Sequence, residues 1–425
     1  MSSVHSMSRL SIVIFGATGF TGKHAVAELA RLSKADSGLT WGVAGRARSK
    51  LQNVLDEAAE TTGIDLSSVK IIVADVSDEK SLQEMCAQTR VLVNCCGPYR
   101  HYGEPVVRAA IDAKAHYVDV SGKPQFIETM QLEYGAQARD AGVYVVSACG
   151  FDSIPNDLGV IFLQQNFGGT LNSVESYMSC HVPFNIGSSA VNYGTWESVV
   201  YGLAQYGDRF DLRKKMYPER LPTFKPKLKH RFIIHARKDG WCLPFPGADS
   251  SVVYRTQRQL YESQHTRPAQ IKTYVKFPSL LTTLGVALCA TFLYLMSKTS
   301  LTRQLLLSYS HIFTLGAVVK DQGPSEEVTN KTTFKFELYG EGWEAGDDVN
   351  ATLPNKKVKV QVSGVNPGYG ATVVALLWAA LTILRETDNI PKQAGVLTTG
   401  VAFRNTSLIQ RLCENNLKFE IVNNE

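Results

Sequence analysis

Residues 11–22, SIVIFGATGFTG, compress an apolar strand, a glycine turn and the start of a helix into one short stretch. Ile12, Val13, Ile14 and Phe15 present no polar face, so the strand reads as covered on both sides, as in a parallel sheet. Gly16, Gly19 and Gly22 follow at GxxGxxG spacing, and FTGKHAVAELARL continues as an amphipathic helix. Such a turn brings backbone N–H groups and a helix N-terminus, with roughly half a positive charge, to one point. A dinucleotide pyrophosphate suits that point, held by Gly16, Thr18, Gly19, Phe20, Thr21 and Gly22. A tight turn that holds nothing is the alternative. A nucleoside-triphosphate loop is excluded. It needs four residues between its outer glycines and a Lys followed by Ser or Thr, whereas here Lys23 is followed by His24 and the spacing is longer.

The pattern then repeats. TWGVAG (40–45), VKIIVADV (69–76), RVLVNCCG (90–97), HYVDV (116–120) and VYVVSAC (143–149) read as strands, separated by helical stretches. One of these, EPVVRAAIDA, carries Pro105 near its expected first turn. Strands alternating with helices predict the α/β class with a doubly wound parallel sheet, whose ligands lie across the carboxyl ends of the strands.

Those ends supply the remaining candidates. Arg46 follows the second strand, where a cofactor with a free ribose 2′-hydroxyl would want a carboxylate, so NADP is expected and NAD is disfavoured. A solvated basic turn is the other reading of Arg46. Asp36 lies in a polar loop before that strand and is set aside. Asp75 could accept from an adenine amino group, and Asn94, Cys95 and Gly97 lie where a nicotinamide ribose would sit. Tyr99, Asp119 and Asp152 are the candidates to line the hydride position, but no His–Asp or Tyr–Lys relay is evident. Tyr294 and Lys298 have YxxxK spacing, yet they fall in a hydrophobic segment far from the nucleotide region and are discounted.

A chain of 425 residues predicts two or three domains. The expected division is a dinucleotide-binding domain over 8–172, a second mixed domain over 173–369, and a C-terminal helix and returning segment over 370–425. Net charge +5 is mild over this length and makes no case for nucleic acid. The eight cysteines form no CxxC pair and no metal-ligand spacing, which suggests a reducing compartment and no metal. A first strand at about residue 11 leaves no room for a cleavable signal peptide, so the cytosolic side is expected.

One segment is foreign to a soluble core. FPSLLTTLGVALCATFLYLMS (277–297) has no charge and as a helix would be about 31 Å long, enough to match a bilayer's hydrocarbon. A second uncharged run, QLLLSYSHIFTLGAVV (304–319), follows, and strands resume near 332. Both ends must therefore return to one folded body, which favours a hairpin set into a membrane or a lipid monolayer over a single crossing. Helices buried at a dimer interface are the alternative. The basic run KPKLKHR (225–231) suits anionic lipid, or equally a solvated strand edge.

In order along the chain, FGATGFTG, AGR, VNCCGPYRHYGEPVV, YVDVSG, GFDSIPNDLG (150–159) and AGVLTTGVAF resemble the saccharopine dehydrogenase-like oxidoreductases, most of all their animal branch found on lipid droplets. The resemblance implies a Rossmann domain, a second mixed α/β domain that carries substrate contacts and self-association as a homodimer, a nicotinamide cofactor and a link to lipid. It does not imply saccharopine as substrate, and it maps no catalytic residue. Two functions compete: an NADPH-dependent oxidoreductase acting on a lipid or apolar molecule at a droplet or membrane surface, and a non-catalytic lipid-droplet protein that keeps the Rossmann fold as a scaffold. An amino-acid dehydrogenase forming saccharopine is weaker, because so polar a substrate needs no lipid anchor.

Overall fold

The computed structural model describes residues 8–151, 153–183, 189, 191–204, 209–320, 323–324 and 326–422. The first part of the chain alternates strictly: β1 (Leu10–Phe15), α1 (Phe20–Ala35), β2 (Trp41–Gly45), α2 (Arg48–Thr62), β3 (Lys70–Val73), α3 (Glu79–Cys86), β4 (Thr89–Asn94), α4 (Tyr99–Asp112), β5 (His116–Asp119), α5 (Pro124–Asp140) and β6 (Tyr144–Val146). Next come α6 (Ile154–Asn166), β7 (Gly169–His181), α7 (Tyr193–Ala204), α8 (Arg209–Met216), β8 (His235–Arg237), β9 (Gly240–Pro244), α9 (Asp249–Gln264) and β10 (Gln270–Phe277). The chain continues through α10 (Leu280–Ser297), α11 (Ser300–Ser308), α12 (Ser310–Phe313), α13 (Glu326–Lys331), β11 (Thr333–Glu344) and β12 (Lys356–Val365). A π-helical turn (Pro367–Ala371) leads into α14 (Thr372–Arg385), β13 (Gly395–Leu397), α15 (Thr399–Phe403), α16 (Leu408–Glu414) and β14 (Leu417–Val422).

The first sheet is parallel throughout, in the order β13-β6-β5-β4-β1-β2-β3. β1 lies inside because its last four residues are apolar on both faces. Ile12 and Ile14 join one helix layer, and Val13 and Phe15 the other. The seventh strand, β13, comes from the far end of the chain and pairs Gly395–Leu397 with Tyr144–Val146. Strand order reverses between β1 and β4, so the crevice of a doubly wound sheet opens there.

Several element ends differ from the sequence pattern, for local reasons. β3 stops at Val73 because Asp75 turns the chain, accepting from the Ser77 amide at 2.9 Å. β4 stops at Asn94, whose side-chain oxygen accepts from the Cys96 amide at 2.9 Å. α4 opens at Tyr99 rather than near Pro105, its first amides bonding back to the Pro98 carbonyl.

The second sheet is mixed, in the order β14-β12-β11-β7-β10-β9-β8, with β7 and β10 parallel. Its inner face (Phe334, Phe336, Leu338, Val360, Val362) packs on α6. Its outer face carries Glu175, Tyr177, Tyr274, Lys276, Glu337, Tyr339 and Lys359. There the Tyr177 and Tyr274 rings stack at 5.0 Å, and Arg237 lies 4.2 Å from the Tyr339 ring centre. β10 and β11 flank β7, with Val275 and Phe336 both opposite Met178. The excursion over α10 to α13 therefore leaves and re-enters one end of the sheet only about two strand spacings, or about 10 Å, apart. The paired ends are those of a hairpin.

Candidate functional site

At the β1/β4 crevice the three glycines serve different needs. Gly16 has φ +78°, and a Cβ there would sit 2.7 Å from the Cys96 amide nitrogen, so its missing side chain lets the turn run against the loop after β4. A Cβ on Gly22 would come 2.2 Å from the Gly16 carbonyl oxygen, so α1 can lie on the turn only with glycine there. Gly19 caps α1 with no side chain over the helix end, which leaves room for a ligand's phosphates against the first-turn amides. Thr18 and Thr21 are half-buried beside it. The Phe20 ring turns away, packing 4.1 Å from the Tyr369 ring of the π-helical turn, so Phe20 offers its backbone to this site.

Arg46 is exposed just past β2. The Ser77 amide and hydroxyl hold the Asp75 carboxyl below the usual carboxylate range, with a smaller contribution from the Arg46 charge. Burial pushes the Cys96 thiol up against an opposing effect of the same Arg46. The structure thus brings Gly16, Arg46, Asp75 and the 95–97 loop to one side of the crevice. Burial raises the Cys95 thiol to about 12, and Gly97 is exposed at the loop's outer edge.

Beneath this loop lies a closed hydrogen-bond network. Asn94 donates to the Tyr117 hydroxyl at 3.0 Å, and Tyr117 donates to Asp119 at 2.8 Å. Asp119 is fully buried and also accepts from the Ser121 amide and hydroxyl, the Ser147 hydroxyl and the Ala148 amide. Burial raises its pKa, and these donors oppose that rise. Tyr99 donates its hydroxyl proton to the Asn94 carbonyl at 2.8 Å. Asp119 and Tyr99 thus spend their polar atoms on joining the ends of β4, β5 and β6. Asp152 lies outside the described residues.

Two features escaped the sequence reading. The first is Asp157, which is fully buried on α6. One of its carboxylate oxygens accepts from Thr256 at 2.9 Å, from Thr399 at 2.7 Å and from the Gly400 amide at 2.6 Å. With Asn156, which donates to Asp249 at 3.0 Å, it makes the GFDSIPNDLG stretch a clamp between α6, α9 and α15. The second is α7. Its Tyr201 meets His101 of α4 at 6.0 Å, and Gly202 abuts Lys123 ahead of α5, so α7 crosses the first turns of both helices. On its other side, Trp196 donates to the Leu306 carbonyl at 3.0 Å and Tyr193 to the Leu307 carbonyl at 3.1 Å, both on α11.

A seven-stranded parallel sheet with a glycine turn between β1 and α1 and a crevice at its switch point defines a Rossmann dinucleotide-binding protein. Residues 12–146 match the family model described as the saccharopine dehydrogenase NADP binding domain. The chain belongs to the saccharopine dehydrogenase-like oxidoreductase family. It is 40% identical to the saccharopine dehydrogenase-like oxidoreductase of Homo sapiens over 422 residues, covering 97% of each chain. It is 39% identical to the lipid droplet localized protein of Caenorhabditis elegans, over 98% of this chain and 99% of that one. A relative from Arabidopsis thaliana, 35% identical over 97% of this chain and 96% of its own length, is described as a probable mitochondrial member. Among solved structures, saccharopine dehydrogenase (L-Glu forming) of Saccharomyces cerevisiae shares the fold, with a TM-score of 0.53 and 15% identity over 97% of this chain and 100% of that one.

Proposed function

We propose that the chain is an NADPH-dependent oxidoreductase acting on a lipid or other apolar molecule at the surface of lipid droplets or the cytosolic face of membranes. The observation that carries this reading is α7, which links the outward-apolar hairpin to the first turns of α4 and α5 beside the nicotinamide end of the crevice. The chemistry the cofactor supplies when bound is hydride transfer. The chain's part is to bind and orient it. Gly16, Thr18 and the first-turn amides of Phe20, Thr21 and Gly22 take the pyrophosphate over the bare Gly19 cap, Arg46 the 2′-phosphate and Asp75 the adenine amino group. The Asn94–Cys95 backbone and Gly97 lie along the nicotinamide ribose. The bare cap at Gly19 fits such a ligand, and the close packing that glycine allows at 16 and 22 holds the turn that presents it.

A second reading, a Rossmann scaffold without turnover, is favoured by one observation: the polar atoms of Tyr99 and Asp119 are committed to the protein's own network. Fluorescence titration tests the cofactor assignment. NADPH should bind more tightly than NADH, Arg46→Asp should reverse the order, and equal affinities in the unaltered chain would remove the argument. Gly19→Val tests turnover. This variant should fold, lose NADPH binding, and let an apolar substrate accumulate in cell lipid extracts. If the cofactor-free variant fully restores the lipid profile of a deletion strain, the scaffold reading wins.

A further inference from the structure

The segment before β8 holds an apolar tip out into solvent. Phe232 is 85% and Ile233 73% exposed, among the most exposed large apolar side chains described. The tip is fixed on both sides. Upstream, the Pro226 carbonyl accepts from Asn172 at 3.1 Å and from Gln270 at 2.8 Å, and the Leu228 amide donates to Gln270 at 2.9 Å. The Arg231 guanidinium grips Glu175 through two bonds of 2.8 and 2.7 Å. Downstream, His235 Nδ1 lies 3.0 Å from the Phe232 carbonyl. Two bulky side chains held outward by this many contacts are preorganised for something apolar, since little ordering remains to be done on binding.

Charge identifies the occupant. Lys225, Lys227, Lys229 and Lys238 flank the tip in sequence and are exposed, and none has an ion-pair partner among the described residues. The neighbouring Asp239 is taken by Lys276 at 2.6 Å. The β8–β9 turn relates the tip to the hairpin root, with the tip set back along the sheet toward Gln270. Phe232 is five residues from Arg237, a span of at most about 18 Å. Beyond that turn, Gly240 backs directly onto the Phe277 carbonyl, three residues before α10 begins.

We propose that Phe232–Ile233 and its flanking lysines form a second lipid contact that inserts among anionic phospholipid headgroups of the layer entered by the α10–α12 hairpin. The inference rests on the membrane reading of that hairpin. The hairpin supplies apolar depth, and the tip supplies headgroup selectivity and fixes how the body tilts on the surface.

The test is flotation of the full chain with vesicles of phosphatidylcholine alone or with added phosphatidylserine, at low and high salt. Lys227→Gln/Lys229→Gln should lose about fivefold per lysine, about 25-fold together, on the anionic vesicles at low salt, and nothing on the neutral ones. Phe232→Ser/Ile233→Ser should lose about tenfold or more on anionic vesicles, with NADPH affinity and thermal unfolding unchanged. Unaltered partitioning of both variants on anionic vesicles would overturn the inference. So would a tip variant whose sole change is loss of a dimer in sedimentation analysis, which would make the tip a contact between copies. Leu288→Lys/Leu295→Lys separates this inference from the anchor reading. If that variant keeps its binding while the tip variants lose theirs, the hairpin reading fails; the reverse pattern fells the tip alone.

Discussion

Two helices, Leu280–Ser297 and Pro367–Arg385, are each long and apolar enough to cross a membrane, and the fold treats them in opposite ways. In α14, ten of fourteen residues are buried, among them Leu376, Leu377, Leu381 and Ile383, and the helix lies on the first sheet against α1, β4 and β5. In α10 only Thr283 and Ser297 are buried, while Leu281 is 82%, Leu288 72% and Leu295 63% exposed. α10 is turned largely outward: Thr283 and Ser297 face the protein, Leu293 and Met296 pack half-buried against the Trp196 cluster, and Leu281, Leu288 and Leu295 face outward. Composition alone cannot separate a core helix from an outward-facing one; what each helix is folded against does so. α14 is delivered by the π-helical turn onto a preformed sheet face. α10 leaves the end of β10 to pack on α7, α11 and β9 and to meet α12 through Phe292 and Phe313.

The largest expected effect breaks this pair apart directly. Leu376→Lys puts an unpaired charge where the side chain is fully buried and should cost more than about 4 kcal/mol, enough to abolish soluble, NADPH-binding protein. Leu288→Lys, on a side chain 72% exposed, should change the unfolding free energy by no more than about 0.5 kcal/mol while releasing the protein from droplets. Denaturant titration and droplet fractionation of both variants check this. If Leu288→Lys unfolds the chain as Leu376→Lys does, α10 is a core helix and the comparison collapses.

A smaller effect comes from how α10 is rooted. Lys276, one residue before the end of β10, bonds Glu337 of β11 at 2.7 Å, and Lys359 of β12 does so at 2.7 Å. Burial alone would raise the Glu337 carboxyl, but these lysines overcome it and hold it at about 2, against an ordinary 4.5. A depressed folded-state pKa stabilises the fold above the unfolded value, and that contribution disappears as pH falls from about 4.5 to about 2. The full displacement corresponds to roughly 3 kcal/mol. The urea midpoint should drop across this window, the loss of amide protection should centre on β10 and β11 rather than α14, and Glu337→Gln should flatten the pH dependence. An unchanged slope in that variant would mean that the hairpin root is not held by charge.

The same contrast marks what was legible in the sequence. The six βα strands, the glycine turn and the uncharged hairpin announce themselves because their signals are local: strand runs with apolar cores, fixed glycine spacing, and a run as long as a bilayer. β13 is three residues, too short to show a period, and it acquires its identity only by pairing with β6 across the intervening chain. α9 was invisible because Arg255, Thr256, Gln257 and Arg258 are buried polar residues that read as surface. The Asp157 clamp draws its donors from residues 99 and 242 positions away, a distance that no motif spans. Tyr99 and Asp119 were singled out by their place at strand ends. Their engagement with Asn94, Tyr117 and Ser147 could be seen only once those ends were brought together.

The smallest effect sharpens the comparison at the cofactor site. The turn that delivers α14 carries Tyr369, whose ring lies 4.1 Å from Phe20 and 5.1 Å from His24 on the first turns of α1. α14 is thereby coupled to the glycine turn, whereas α10 packs on α7, which in turn meets the nucleotide domain. Tyr369→Ala removes a half-buried aromatic pair worth about 1 kcal/mol beyond the area it covers, and it frees Phe20 to shift the glycine turn proposed to hold the pyrophosphate. NADPH affinity should fall by about fivefold, with droplet association unchanged. Phe292→Ala on α10, where the ring is 51% exposed, should leave NADPH affinity untouched. Fluorescence titration of the two variants decides the matter. If Tyr369→Ala binds NADPH as the unaltered chain does, α14 supports the sheet without positioning the turn, and the two apolar helices differ in burial alone.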